Sequence, residues 1–234
     1  MEKYEEYGYN IQNGKVIIPE WETEIKEGAF EGCSNLTSVS IPPSVTQIGY
    51  DAFKGCSSLA SVSIPPSVTE IENWVFSDCP SLASIIVSKD NKIYDSREDC
   101  NAIIHTESNT LIYGCKNTII PPSVTKIGNY AFSECSSLAN ISIPPSVTEI
   151  GEMAFALCKS LRSITIPDSV AVIGKWAFAG CESLTELRIP ESVTNIGFSS
   201  FSACESLTKV WIPTDCYLDR NDFEHCLHVQ IIRY

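Results

Sequence analysis

The chain repeats itself every 23 residues, and this periodicity limits the folds that it can adopt more than any other feature. An isoleucine recurs at one place in the repeat, a proline usually follows it, and a phenylalanine recurs at a second place. Val87 replaces the isoleucine once, and the next interval is 33 residues long. The two series comprise Ile18, Ile41, Ile64, Ile120, Ile143, Ile166, Ile189 and Ile212, and Phe30, Phe53, Phe76, Phe132, Phe155, Phe178, Phe201 and Phe223. Such a chain is predicted to be a stack of similar units.

Each repeat contains a segment whose alternation is typical of a β-strand. Val62 and Ile64 lie two residues apart, so they share one face of an extended strand. Pro65 ends this strand because proline has no backbone N–H to donate. The rest of the unit is a second short apolar segment, a glycine that we expect to relax the backbone, and a helical or 3₁₀ turn at Ala-Phe-x-x-Cys.

A single repeat cannot fold alone, because its few apolar side chains do not offset the entropy lost in ordering the unit. Neighbouring units must therefore stack and form hydrogen bonds. The consensus L-x-x-I-x-I-P-x-S-V-T-x-I-G-x-x-A-F-x-x-C, over roughly residues 16–234, resembles the BspA-like class of leucine-rich repeats. The resemblance implies an α/β fold, namely a curved right-handed solenoid with a parallel concave sheet and with short segments and helical turns on the convex side.

We expect one domain over residues 1–234, with irregular parts at both ends and in the middle. Residues 1–17 form an N-terminal cap, because Asn13-Gly14 is a strong hairpin signal. Residues 88–120 form the 33-residue repeat, in which 101–106 and 110–115 are predicted to pair as a small projecting hairpin. Residues 213–234 form a terminal repeat or cap, where Val229, Ile232 and Tyr234 fit the strand register counted from Phe223.

The charge balance restricts the partners. Acidic residues outnumber basic ones by 29 to 16, and a net charge of −13 disfavours nucleic acid and anionic membranes. No apolar run approaches the roughly 18 residues of a membrane-spanning helix, so no membrane insertion is predicted. The first ten residues hold no apolar signal core, which leaves a cytoplasmic protein or a processed fragment open. The family resemblance implies a secreted or cell-surface protein.

Eleven cysteines raise the question of disulfides or zinc. Eight of them stand three residues after the repeat phenylalanine, where buried thiols with poor disulfide geometry are expected. Cys100 and Cys115 are the exception, and a disulfide between them stays open. No C-x-x-C pair occurs, and the acidic loop of Asp90, Asp95 and Asp99 fits no EF-hand spacing. We therefore predict neither a metal nor a cofactor.

The sequence lacks a recognisable catalytic set. The three histidines lie in the irregular and terminal repeats, without a serine or cysteine nucleophile at recognisable spacing. Glycine-rich phosphate loops and the G-x-S-x-G elbow are also absent from the sequence. We predict that the protein is not an enzyme.

Side chains one and three residues before each repeat isoleucine are predicted to line the concave face. Half of them are serine or threonine, but two apolar residues and a mixed charged and aromatic cluster interrupt this surface. Tryptophan and arginine dominate binding hot spots, so we predict that a partner binds at the charged and aromatic cluster. In the alternative interpretation, Trp211 only shields the last strands from solvent. The predicted binding residues are Ile86, Ile119, Arg162, Glu186, Arg188, Lys209 and Trp211.

These features favour a non-catalytic binding module that presents a repeat surface to a protein or a glycan. The BspA-like resemblance implies a microbial, for example bacterial, cell-surface protein involved in adhesion to host proteins or cells. The alternative is a structural spacer or a self-associating segment of a longer repeat protein.

Overall fold

The computed structural model of the protein describes residues 3–234. Its helices are α1 (Lys3–Glu6) and two 3₁₀ helices at Arg97–Asp99 and Arg220–Phe223, and no helix within these residues has the length and apolarity of a bilayer span. The strands are β1 (Ile11–Gln12), β2 (Lys15–Ile17), β3 (Glu24–Ile25), β4 (Ser38–Ser40), β5 (Gln47–Ile48), β6 (Ser61–Ile64), β7 (Glu70–Ile71), β8 (Ser84–Val87), β9 (Tyr94–Asp95), β10 (Ala102–His105), β11 (Thr110–Gly114), β12 (Lys126–Ile127), β13 (Glu149–Ile150), β14 (Val172–Ile173), β15 (Glu186–Arg188), β16 (Asn195–Ile196), β17 (Lys209–Ile212) and β18 (Gln230–Arg233).

Two compact units divide the chain. The first comprises Met1–Glu107 with Gly114–Thr118, and the second comprises Ser108–Tyr113 with Ile119–Tyr234. In the first unit the strands β2, β4, β6 and β8 pair in parallel, and equal repeat positions such as Ile64 and Val87 are neighbours. The strands β3, β5 and β7 form a second parallel sheet. The predicted stacking of repeats is therefore confirmed in this unit.

The second unit is built in the same way. Strands β11, β12, β13, β14 and β16 pair in parallel through the short segment of each repeat. Strands β15, β17 and β18 form the sheet that precedes the repeat isoleucines, with Leu187 beside Val210 and Val210 beside Ile231. A solenoid of stacked parallel strands, with little helix, is thus present in both units.

The segment around most repeat phenylalanines is a run of tight turns, and the predicted 3₁₀ turn forms only at Phe223, over Arg220–Phe223. Met153 and Leu157, two residues on either side of Phe155, have φ angles of 50° and 58°. The N–H groups of Met153, Phe155 and Leu157 all donate to carbonyl groups of the next repeat, at 2.7–2.8 Å. The alternating left-handed residues therefore give each turn a third ladder of inter-repeat hydrogen bonds.

Left-handed residues other than glycine are strained, and this strain can be removed. Ala203 has a φ of 55° at the repeat position where Gly180 stands one unit earlier. Because an L-residue in this conformation costs about 1 kcal/mol, Ala203→Gly should raise the free energy of unfolding by about that amount in urea titrations. Ala171→Gly is the control, because Ala171 is not among the residues with positive φ. A destabilised Ala203→Gly variant would contradict the turn geometry.

The glycine that follows most of the short strands is needed for close packing of backbones. A Cβ atom on Gly174 would lie 2.5 Å from the backbone nitrogen of Glu152, and one on Gly197 would lie 2.3 Å from that of Lys175. Neither glycine is among the residues with positive φ. The prediction that this glycine relaxes the backbone is therefore wrong, since the repeats touch where a side chain is missing.

Stacked phenylalanine rings run through the core of each unit. In the second unit the rings of Phe132, Phe155, Phe178 and Phe201 lie 5.0, 5.3 and 5.8 Å apart from one to the next and are nearly parallel. All four side chains are buried. The recurrent phenylalanine therefore forms a continuous aromatic column, in which each ring contacts its counterparts in adjacent repeats.

The N-terminal hairpin closes the first unit. Ile11 lies opposite Val16 and Gln12 opposite Lys15, which confirms the hairpin predicted at Asn13-Gly14. Upstream of it, the ring of Tyr9 stacks on Phe30 at 5.1 Å and extends the aromatic column by one member. The core of the first repeat is thereby covered.

Most of the repeat cysteines are buried thiols, whereas Cys135 and Cys226 are half-buried, and no disulfide joins any cysteine of the described chain. Their thiols also donate hydrogen bonds. The prediction from the sequence treated these cysteines only as small apolar residues. The Sγ atoms of Cys158 and Cys181 lie 3.1 and 3.2 Å from the carbonyl oxygens of Phe132 and Phe155. Each thiol thus satisfies a backbone acceptor of the preceding repeat. Cys100 and Cys115 are both buried and not disulfide-bonded.

The thiols differ in their expected reactivity. Burial raises the pKa of Cys181 to about 12, whereas the Cys226 side chain is only half-buried and reaches solvent. Because the thiolate is the reactive form, iodoacetamide at pH 7.5 should modify Cys226 quickly and leave Cys181 unmodified in the folded protein. Peptide mass spectrometry after short exposures measures both rates. Equal labelling of the two cysteines would contradict this assignment.

The first half of the 33-residue repeat is packed into the first unit. Strand β10 pairs antiparallel with β9, with Ile104 opposite Asp95. Ala102, Ile103 and Ile104 are fully buried, so the segment belongs to the interior. Strands do form at Ala102–His105 and Thr110–Gly114, close to the bounds of the predicted hairpin, and only the prediction that this hairpin projects is wrong, because β10 is buried. Consecutive apolar residues here serve both faces of a buried strand.

The last repeat is shifted by one residue from the predicted register. Ile231 pairs with the buried Val210, and Ile232 pairs with Trp211, on the opposite face. The prediction counted Ile232 and Tyr234 as core positions, but the last repeat is shorter than the template. A one-residue shift in a strand exchanges its two faces, so Ile232 points away from the core.

Candidate functional site

The strands before each repeat isoleucine present one face away from the core, which we call the outer strand face. Every side chain predicted to line it is exposed or half-buried. In the first unit, Ser38 lies between Lys15 and Ser61 across the sheet. Ile17 and Ile86 are 78% and 55% exposed on this face. Lys15 and Ile17 were not predicted to line this face, because their strand was assigned to the cap, although they lie three residues and one residue before Ile18.

In the second unit the outer strand face carries opposite charges side by side. Glu186 on β15 lies opposite Lys209 on β17, and Lys209 Nζ is 3.8 Å from Glu186 Oε1. About half of each side chain is accessible to solvent. An exposed pair of this kind contributes little stability, so both charges remain available to a partner. The structure thus brings together two of the predicted residues.

Trp211 occupies the centre of this surface. It is half-buried and lies between Arg188 on β15 and Ile232 on β18. The guanidinium carbon of Arg188 lies 3.9 Å from the ring centroid of Tyr234, whose hydroxyl donates to the Ile189 carbonyl at 2.7 Å. Tyr234 therefore holds Arg188 in place. This role of Tyr234 was not predicted from the sequence, because the predicted strand register placed Tyr234 in the core.

The remaining predicted residues lie outside strands β15, β17 and β18. Ile86 belongs to the first unit, and Ile119, which is 73% exposed, belongs to the second. Arg162 is exposed in the second unit and forms no ion pair with any residue from 3 to 234. We call Glu186, Arg188, Lys209 and Trp211, together with Tyr234, the Trp211 cluster.

The acidic loop of the 33-residue repeat is occupied by its own hydrogen bonds. Arg97 Nε donates to Asp95 Oδ1 at 2.8 Å, and the Thr106 hydroxyl donates to Asp95 Oδ2 at 3.1 Å. Burial raises the pKa of Asp95, but the bonds from Arg97 outweigh it, so the net shift is downward. Across residues 3–234 no three His, Cys, Asp or Glu side chains are grouped as metal ligands.

Comparison with known families fits this geometry. The description "BspA type leucine rich repeat region" matches the chain in six copies, over residues 4–104 and 107–230. The chain belongs to this family. The BspA-type assignment explains the 23-residue spacing and the parallel strands of both units. No match is found among proteins with curated functional descriptions.

Solved structures of bacterial leucine-rich repeat proteins resemble this chain. A leucine-rich cell surface protein from Faecalibacterium prausnitzii is 33% identical, with a TM-score of 0.80 over 94% of this chain and 59% of that chain. The pneumococcal vaccine antigen PcpA, at 23% identity and a TM-score of 0.80, shares the fold over 94% of this chain and 57% of its own. A leucine-rich repeat protein from Eubacterium ventriosum, also 23% identical, has a TM-score of 0.66, with 94% and 72% covered. The chain spans less than two thirds of the first two relatives.

Proposed function

We propose that this BspA-type chain is a non-catalytic binding and adhesion module, which presents its outer strand face to a protein or glycan partner at a bacterial cell surface. The observation that supports this most is the Trp211 cluster. A tryptophan is accessible at the centre of a three-stranded sheet, with a positioned arginine beside it. The relative from F. prausnitzii is described as a cell surface protein, which supports the location.

The Trp211 cluster has the composition of a binding hot spot. Tryptophan and arginine supply large contact areas and dominate the energy of protein interfaces. Because Tyr234 already orders the Arg188 guanidinium, a partner loses less side-chain entropy on binding it. The Glu186–Lys209 pair offers charges of both signs at the rim, which favours specificity over raw affinity.

The test is binding to a panel of purified host extracellular-matrix glycoproteins by surface plasmon resonance. We expect saturable binding to at least one of them, weakened about 30-fold by Trp211→Ala, as for a hot spot of about 2 kcal/mol. Trp176→Ala is the matched control, since Trp176 is also partly exposed in the same unit but lies outside the outer strand face. Unchanged affinity for both Trp211→Ala and Arg188→Ala would refute the assignment.

A second candidate function is self-association, in which a second copy of the chain packs against the last repeat. Ile231 is 42% exposed, whereas the equivalent Val210 and Leu187 are buried. Self-association would cover this core position. Sedimentation velocity across protein concentrations should then show dimers that Ile231→Lys abolishes, and a strictly monomeric protein would rule this candidate out.

A further inference from the structure

A cavity of about 520 Å³ lies at the β1–β2 hairpin of the first unit. The residues that line it include Tyr9, Asn10, Gln12, Asn13, Lys15 and Ile17. Small-molecule sites in proteins have volumes of roughly 300–1,000 Å³. The cavity is separate from the Trp211 cluster, which belongs to the second unit.

The walls of this cavity are held in place by the fold. Gln12 and Lys15 are opposite each other in the hairpin, so their side chains leave the same face, and Ile17 follows on that face two residues later. The carbonyl of Gly14 accepts hydrogen bonds from the N–H and the hydroxyl of Thr37, at 2.6 and 2.8 Å. The hairpin is therefore fixed to the next repeat, and the cavity does not have to form on binding.

The chemistry of the lining is unusual for this acidic protein. The side-chain amides of Asn10, Gln12 and Asn13 are exposed and make no hydrogen bond to the described chain. Lys15 is the one charged residue of the lining, and its ammonium forms no ion pair within residues 3–234. The lining thus combines unpaired amide donors and acceptors, a single positive charge and the apolar side chain of Ile17.

We propose that this cavity binds a uronic acid residue, which is a pyranose that carries one carboxylate. Amide side chains can donate to and accept from sugar hydroxyls, and Lys15 matches one negative charge. Ile17, which is 78% exposed, offers an apolar contact for the C–H face of the ring. A free amino acid fits less well, because the lining contains no carboxylate for its ammonium group.

The surroundings of the cavity allow a longer ligand. Lys15 and Ile17 lie beside Ser38 and Ser40 of the next strand, and Ser61 follows Ser38. These hydroxyls make no side-chain hydrogen bond within the described residues, so they remain available to further sugar units. A uronic acid trimer should therefore bind more tightly than the monomer.

The experiment uses the full chain and three probes: sodium D-glucuronate, D-glucose and sodium acetate. Glucuronate should shift the side-chain amide NMR signals of Asn10, Gln12 and Asn13 saturably, with at least tenfold higher affinity than glucose or acetate. Lys15→Met should lower the affinity for glucuronate about tenfold, to the level of glucose. Lys175→Met, an exposed lysine of the second unit, is the matched control and should bind as the unchanged protein does.

Three outcomes would overturn the proposal. They are shifts that do not saturate, acetate binding as tightly as glucuronate, and a Lys15→Met variant with unchanged affinity. Trp211→Ala should leave glucuronate binding intact, so failure of this proposal and failure of the proposed adhesion surface are distinguished by the same set of variants.

Discussion

Replacing Phe155 with alanine is expected to lower the free energy of unfolding by about 4 kcal/mol, the range for a large buried aromatic side chain. The ring of Phe155 is fully buried and stacks on Phe132 at 5.0 Å and on Phe178 at 5.3 Å. The truncation removes contacts with both neighbouring rings and leaves a cavity. The adjacent repeats cannot close up to fill this cavity, because their other contacts hold them apart. Urea unfolding followed by circular dichroism measures the loss.

Phe198→Ala is the matched control for this substitution. Phe198 belongs to the same unit, but it is 45% exposed and contacts Trp176 edge-on. Its loss should cost about 1 kcal/mol, since only one aromatic contact and part of its buried area disappear. If both alanine variants lost the same stability, the aromatic column would not be the main source of cohesion between repeats.

Replacing Gly174 with alanine is expected to lower the free energy of unfolding by about 3 kcal/mol, at the upper end for overpacking. The new Cβ would lie 2.5 Å from the Glu152 nitrogen and 2.6 Å from the Gly151 oxygen. These are backbone atoms of the preceding repeat, so relief requires the two repeats to separate. That movement would also lengthen the hydrogen bond from the Gly174 N–H to the Ile150 carbonyl, now 2.8 Å.

Gly32→Ala separates this steric effect from backbone strain. A Cβ on Gly32 would meet no atom within 4 Å, but its φ of 73° is unfavourable for alanine. We expect a loss of about 1 kcal/mol for this variant, from strain alone. A Gly174→Ala loss no larger than that of Gly32→Ala would contradict the close approach of successive backbones.

The recurrent apolar residues were sufficient to predict the stacking of the repeats. A period of 23 residues brings equal positions such as Phe155 and Phe178 into contact, because parallel strands in register place them one above the other. The alternation in Ser61–Ile64 likewise identified the buried and exposed faces of the strands. Both signals are local and repeated, so one correct unit determines the others.

Other features depend on contacts that a consensus does not reveal. The need for glycine at Gly174 comes from the backbone of the preceding repeat, and the thiol of Cys181 bonds a carbonyl in that repeat. Tyr234 contacts Arg188 because the last repeat is shorter than the template, and this shift changes which face each residue joins. The Lys15 cavity depends on the three-dimensional placement of the hairpin, for which the sequence gives only the turn.

The central claim is that equal positions of successive repeats interact with their immediate neighbours. Double-mutant cycles with Phe→Leu substitutions test it directly. The adjacent pair Phe155 and Phe178 should show a coupling energy of about 1 kcal/mol, as stacked rings do. Phe155 and Phe201, two repeats apart, should add within about 0.5 kcal/mol. No coupling in the adjacent pair, or an equal coupling in the distant one, would contradict a solenoid stacked in register.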